Sequence, residues 1–347
     1  MRVFRATCVC VALICAQPLW AQDREFNGPG GWQPIGLVPV DQAGAGRRGY
    51  TLAGEGADVT DPQTNQVSFH MVDANNFFIE HSSAFDLTQR YEAHTLAFEY
   101  RRGFKTGRWP RFEIGAQIQF DESDAGVLNG FISGFEDLVN RPLRSKTDPP
   151  PLGTSIARNG TSLYQTPGTG SGIGDIYLVA KAALHDGQVA AGGTRIAARV
   201  AVNISGTSQF TEGNFVGAGV SLDRKLAARI AFHGDLRASV TLDRTSTWGL
   251  PLSRGVVGFS IGPEVRLTQN TSLSLQYDGS SSPYLPTGAI AFDAGYGDAV
   301  LGVGHRFIRA RRVFVTQFYA RENMVLPFSV RWNADPDLAI GLKVTIH

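Results

Sequence analysis

The last residues of the chain alternate without a fault. Leu338, Ile340, Leu342, Val344 and Ile346 take one parity, and Ala339, Gly341, Lys343, Thr345 and His347 take the other. A period of two marks a strand with one apolar and one polar face. The pattern recurs upstream. Over residues 111–121, Phe112, Ile114, Ala116, Ile118 and Phe120 alternate with Glu113, Gly115, Gln117, Gln119 and Asp121. Over residues 194–205, Ile196, Ala198, Val200, Val202 and Ile204 stand opposite Arg195, Ala197, Arg199, Ala201 and Asn203. Over residues 230–242, Ile230, Phe232, Leu236, Ala238, Val240 and Leu242 stand against Arg229, His233, Asp235, Arg237 and Thr241. Further strands are expected to start near Gln66, Arg90, Ile173, Asn214, Val256, Thr271, Asp298, Arg312 and Asp337, with the one at Arg312 the least regular. The total is about twelve, an even number, as single-chain closed barrels require.

The start of the chain fixes the compartment. Arg2 and Arg5 precede an apolar run over residues 6–16, and the small Ala21 precedes the expected cut, so residues 1–21 read as a signal peptide. All three cysteines, Cys8, Cys10 and Cys15, fall within it, so the mature chain is expected to hold no disulfide. Ile14 sits where a lipoprotein site at Cys15 would need a small residue. Losing Arg2 and Arg5 takes the 32 Lys and Arg to 30, against 31 Asp and Glu, a balance that points to no nucleic-acid partner. No later stretch approaches the roughly twenty apolar residues of a spanning helix. Export, alternation and an even strand count together predict an all-β transmembrane antiparallel barrel over residues 66–347, in the outer membrane of a Gram-negative bacterium.

Connection lengths agree with this reading, because such barrels keep short turns on the periplasmic side and long loops outside. With a periplasmic N-terminus, short turns are expected near residues 103–108, 185–193, 223–226, 268–270 and 309–311. Long connections are expected near 81–88, 122–172, 206–213, 243–255, 281–297 and 321–336, interleaved with the turns. Residues 22–65, rich in Gly and Pro, precede the first strand and lie either in the periplasm or in the lumen. In the longest loop Val127, Leu128, Phe131, Ile132, Phe135, Leu138 and Val139 are spaced for one face of a short helix, and irregular Pro- and Gly-rich chain follows. Tyr100, Phe104, Trp109, Tyr277, Tyr284, Phe307 and Tyr319 fall near strand ends, as interfacial girdles do.

Several motifs carry a family resemblance. The run Gly172-Ile173-Gly174-Asp175-Ile176, the strand Asn214-Phe215-Val216-Gly217-Ala218-Gly219, the loop motif Leu128-Asn129-Gly130-Phe131-Ile132-Ser133-Gly134-Phe135 and the closing Arg321-Glu322-Asn323 and Asn333-Ala334-Asp335-Pro336-Asp337 segments are one set. They resemble the proteobacterial outer-membrane proteins catalogued as domain of unknown function three-one-eight-seven, over most of the mature chain. The chain departs from that pattern at Asn323, where an acidic residue is expected, and at His347, where barrels usually end in an aromatic. The resemblance implies a barrel and carries no catalytic residues.

The polar parity places Glu99, Glu113, Asp175, Lys181, Arg195, Arg199, Arg229, Asp235, Arg237, Glu264, Arg266, Asp278, Arg306 and Lys343 on the lumenal face. Charges of both signs in a narrow lumen should pair, giving either a selective path for a small solute or a cross-linked plug, and their near-balance favours the plug. The expected function is therefore non-enzymatic: a structural envelope role or small-solute passage. The expected partners are outer-membrane lipids, lipopolysaccharide and the barrel-assembly machinery. An alternative is an outer-leaflet lipid hydrolase of the phospholipase or lipid A deacylase type, in which His81 would serve as base for Ser83 two residues on. His70, His94, His185, His233 and His305 show no metal-ligand spacing, and Gly172-Ile173-Gly174-Asp175 precedes a strand rather than the helix of a phosphate loop. No cofactor or metal is expected.

Overall fold

The computed structural model describes residues 32–38, 52–82, 85–107, 111–126, 128, 151–187, 189, 192–208, 211, 213–310, 312–323 and 338–347. The expected signal peptide lies outside these residues, as does the expected loop helix apart from Leu128.

Alternation becomes strands β1 (Asn65–His81), β2 (Phe85–Phe104), β3 (Phe112–Asp124), β4 (Gly153–Arg158), β5 (Thr161–Pro167), β6 (Gly170–Asp186) and β7 (Thr194–Ile204). They continue as β8 (Phe215–Ala227), β9 (Ile230–Thr241), β10 (Gly255–Arg266), β11 (Thr271–Ser280), β12 (Tyr296–Arg309), β13 (Arg312–Asn323) and β14 (Leu338–Ile346). One helical turn, α1 (Ile290–Asp293), lies between β11 and β12. All pairings between these strands are antiparallel, each with its neighbour in the chain apart from the β4–β5 excursion. β1 closes the sheet by pairing with both β2 and β14, from Val67 opposite Ile346 to Asn75 opposite Leu338. The closed wall has 12 strands, which satisfies every backbone group of the sheet without an edge in the membrane.

β4 and β5 correct the expectation of irregular chain after residue 150. They form a hairpin whose turn residues, Asn159 and Gly160, both have positive φ, at 50° and 75°. Asn-Gly is the dipeptide that a two-residue turn of this hand selects. The hairpin docks on the outer end of β2, where Phe85 to Arg90 pair with β4, while Glu92 to Phe104 pair with β3.

The two parities separate as the alternation requires. Val200, Leu236 and Val240 are 56%, 62% and 55% exposed on the outer surface, while their neighbours Ala201, Arg237 and Ser239 are buried inside. Two of the aromatics expected in the girdles are not there. Tyr319 faces inward and shares a 2.7 Å hydrogen bond with His70 Nε2, and Tyr284 is buried in a loop cluster. That cluster joins the inward faces of β2 and β10 at the ends away from the short turns (Phe85, Leu87, Tyr91, Val256) to Ile156 of β4 and the loop residues Trp248, Leu250, Tyr284 and Phe292. It forms an apolar roof over the mouth at the long-loop end.

Candidate functional site: a lumen filled by the N-terminal segment

Below that roof the barrel is occupied by its own chain. Residues 32–38 and 52–64 run inside the wall, anchored at the short-turn end by a bridge between Pro62 and Gly103. Their apolar side chains take small inward pockets: Val38 packs with Val72, Val300, Tyr319 and Ala339, Leu52 with Val179, Ala201 and Phe215, and Ala57 and Val59 with Ala183 and Ala197. At Gly304 of β12 a Cβ would stand 2.4 Å from Ile35 Cδ1, so the wall lacks a side chain where the segment has a large one.

Irregular chain inside a barrel has no strand partner for its own amides, so these must find side chains. Glu264 accepts from the backbone N–H of Ile35 at 2.8 Å and of Gly36 at 2.9 Å. Gln276 accepts from Val38 N–H at 2.9 Å and donates back to its carbonyl at 3.1 Å. Asp223 accepts from Ala57 N–H at 2.8 Å, and Glu113 from Thr60 N–H at 2.6 Å. His233 sits between two of these carboxylates, 2.7 Å from Asp223 and 3.0 Å from Glu264, and so fixes both acceptors.

The centre of the lock is Glu55. Its carboxylate meets Arg101, Lys181 Nζ at 2.7 Å and Arg199 Nη1 at 2.8 Å, from β2, β6 and β7. Lys181 also donates to Gly56 O at 2.7 Å and Arg199 to Ala53 O at 2.6 Å. Burial alone would raise the Glu55 carboxyl, but the three cations outweigh it and hold the group well below its ordinary 4.5. Nearer the short-turn end Asp58 pairs with Arg195 at 2.7 Å and Arg111 at 3.4 Å, and these cations likewise hold it low against burial.

The residues singled out by parity fall as follows. Glu99, Glu113, Asp175, Lys181, Arg199, Asp235, Arg237, Glu264 and Asp278 are buried within the wall. Arg237 links Asp278 at 2.7 Å to Asp235 at 3.3 Å, Asp235 reaches Arg199 at 3.1 Å, and Asp175 accepts from Asn203 at 3.2 Å. Lys343 lies 3.9 Å from Glu99. Arg195, Arg266 and Arg306 are half-buried, and Arg306 donates to the carbonyls of Gln33 and Pro34. Arg229, expected in the lumen, is instead exposed in the turn between β8 and β9, because β8 runs on to Ala227 past an irregularity at Lys225. The parity reading missed Glu55, Arg101, Asp223 and Gln276. Arg101 shares its sequence signal with Arg102, and Glu55 sits in chain that has no period at all.

His81 is exposed at the outer end of β1, with Nδ1 3.0 Å from Asp86 Oδ1. Ser83 lies outside the described residues, and no observation among the described ones favours the hydrolase reading.

No family model matches the chain, and no curated protein matches it. Among solved structures it is similar to an outer membrane channel from Pseudomonas putida F1, at a TM-score of 0.53 and 10% identity, over 83% of this chain and 97% of that one. Weaker likenesses are to the NanC porin, with a TM-score of 0.39 at 8% identity over 82% of this chain and 98% of that one, and to the P. putida toluene transporter TodX, with 0.38 at 10% over 82% and 88%. Of the three, the first bears on the fold: the two chains share a closed antiparallel β-barrel.

Proposed function

We propose that the protein resides in the outer membrane, reached by way of a cleaved signal peptide, as a channel for a small polar solute whose lumen is shut by residues 32–38 and 52–64. Its surroundings would be outer-membrane lipid and lipopolysaccharide, with insertion by the barrel-assembly machinery. The resemblance to the family of unknown function fits this reading. The observation that carries it is how the segment is held. The contacts are polar, and most of their wall partners have one another to fall back on: Arg101 also pairs with Glu99 and Glu113, Arg199 with Asp235, and Asp223 and Glu264 with His233, while Lys181 alone of the lock depends on the segment. A purely structural barrel could fill its lumen with wall side chains alone.

The test is single-channel recording in planar bilayers of the mature protein and of a variant lacking residues 22–60. The full-length protein is expected to show little conductance, and the shortened one discrete steps. A shortened barrel that still migrates as a compact species on unheated gels, yet passes no current, would sink the channel reading in favour of a structural role.

A further inference from the structure

The outer face of the barrel carries a polar cluster that neither the lumen nor the lipid accounts for. Register and parity place Asp73 of β1, Glu92 and His94 of β2 and Asp124 of β3 on the outward side: Asp73 stands opposite His94, and Glu92 opposite Asp124. Below them the same face is apolar, through Phe69 and Met71 on β1, Leu96 and Phe98 on β2 and Phe120 on β3, so the cluster begins where the lipid-facing band ends.

One ligand atom each from Asp73, Glu92 and His94 lies within 4.8 Å of the others. His94 presents Nδ1 3.2 Å from Asp73 Oδ1 and Nε2 3.2 Å from Asp124 Oδ1. Glu92 also accepts from Leu128 N–H at 2.7 Å, and Asp124 from Gly126 N–H at 2.6 Å, which draws the start of the loop after β3 against this face. The second observation is Asn75. Directly opposite Glu92 on the same face, it has no exposed surface, and neither its amide oxygen nor its amide nitrogen has a hydrogen-bond partner. A buried amide oxygen without a partner is unfavourable, and a cation facing that oxygen supplies the missing partner.

We propose that Asp73, Glu92 and His94, with the Asn75 amide oxygen as fourth donor, bind a divalent cation of the zinc class. One imidazole and two carboxylates suit zinc better than calcium or magnesium, which take oxygen ligands. Tetrahedral ligation needs donor atoms about 2.0–2.2 Å from the ion, a contraction within reach of side-chain rotation. Asp124 then holds the far nitrogen of the ring, the carboxylate–histidine–metal arrangement that fixes tautomer and orientation. Asp73 and Asp124 keep 32% and 24% of their side-chain surface exposed, so the ion has access from outside. The bound ion ties β1, β2 and the start of the loop after β3 together at the level of the lipid head groups.

The experiment is calorimetric titration of the tag-free, detergent-folded protein with zinc chloride, with calcium and magnesium chloride as controls. One equivalent of zinc is expected, with affinity falling at least about tenfold in His94→Gln and in Asp73→Asn. Zinc should also raise the temperature at which the wild type loses its compact gel form, and leave both variants unmoved. If His94→Gln does not fold, Asp73→Asn decides. Zinc binding that survives both substitutions, binding of calcium or magnesium alone, or the lack of a stoichiometric site would each overturn the proposal.

Discussion

Lys181, on the wall of the barrel, places its Nζ 2.7 Å from Oε1 of Glu55, on the segment that fills it. The two are 126 residues apart in the chain, and Arg199 joins the same carboxylate across 144. One acidic side chain therefore bridges cations from three strands and holds the N-terminal chain within the lumen.

Removing that charge should release the segment before it harms the barrel. In Glu55→Gln, Lys181, Arg101 and Arg199 lose a shared partner in a mostly buried site, and docking of residues 52–60 is expected to weaken by about 3–5 kcal/mol. Limited proteolysis reads this directly. Residues 52–60 should become cleavable while the compact gel band persists. Unchanged protection would show that apolar contacts at Leu52 and Val59 are sufficient.

The same lock has a pH sign. Glu55 and Asp58 both titrate below their ordinary values, since neighbouring cations outweigh burial. A carboxyl lowered in the docked state stabilises docking above its undocked pKa and loses that contribution as pH falls through the docked one. The segment should therefore stay docked from about pH 7 to 5, with release beginning only in stronger acid. Open probability against pH in planar bilayers checks this, and opening that rises toward alkaline pH would contradict it.

The wall was legible in the sequence because its signal is local. Lipid on one side and protein on the other act on residues i and i+2, so the run from Leu338 to Ile346 declares its own geometry. Turn length added the topology, and the Asn159-Gly160 dipeptide held the signal for the hairpin that the reading passed over. The contents of the barrel were not legible. Residues 52–60 adopt extended chain only because carboxylates and guanidinium groups from distant strands complete their hydrogen bonds, and no spacing records that. The cluster at His94 is likewise invisible along the chain, since Asp73 meets it across a strand pair.

The filled lumen changes what substitutions on the two faces should do. Arg at Val200 or Val240, on the lipid face, is expected to cost about 2–4 kcal/mol of barrel stability, measured by urea unfolding in vesicles. Arg at Ala201 or Ser239 would be mild in a water-filled pore. Here Ala201 packs against Leu52, so Ala201→Arg should expel the segment and raise conductance while the barrel stays folded. Equal loss of fold from both faces would show that segment and wall unfold as one unit.

Asp235 and Asp278 rank the remaining pairs. Asp235 serves Arg199 at 3.1 Å, Arg237 at 3.3 Å and Ser221 at 2.8 Å, but each cation keeps another partner, Glu55 for Arg199 and Asp278 for Arg237. Asp235→Ala is therefore expected to cost about 1–3 kcal/mol and to leave conductance nearly unchanged, since the segment stays docked. Asp278→Ala removes the shorter carboxylate partner of Arg237, at 2.7 Å, together with the acceptor for Ser260 and Tyr296, and leaves a fully buried guanidinium with the longer Asp235 contact and the Ser260 hydroxyl at 2.6 Å. Its cost should be larger, about 3–5 kcal/mol. Urea midpoints of the two variants, measured in the same vesicles, check the order. A reversal would mean that Asp235, through Arg199 and Glu55, couples the stability of the wall to the docking of the segment.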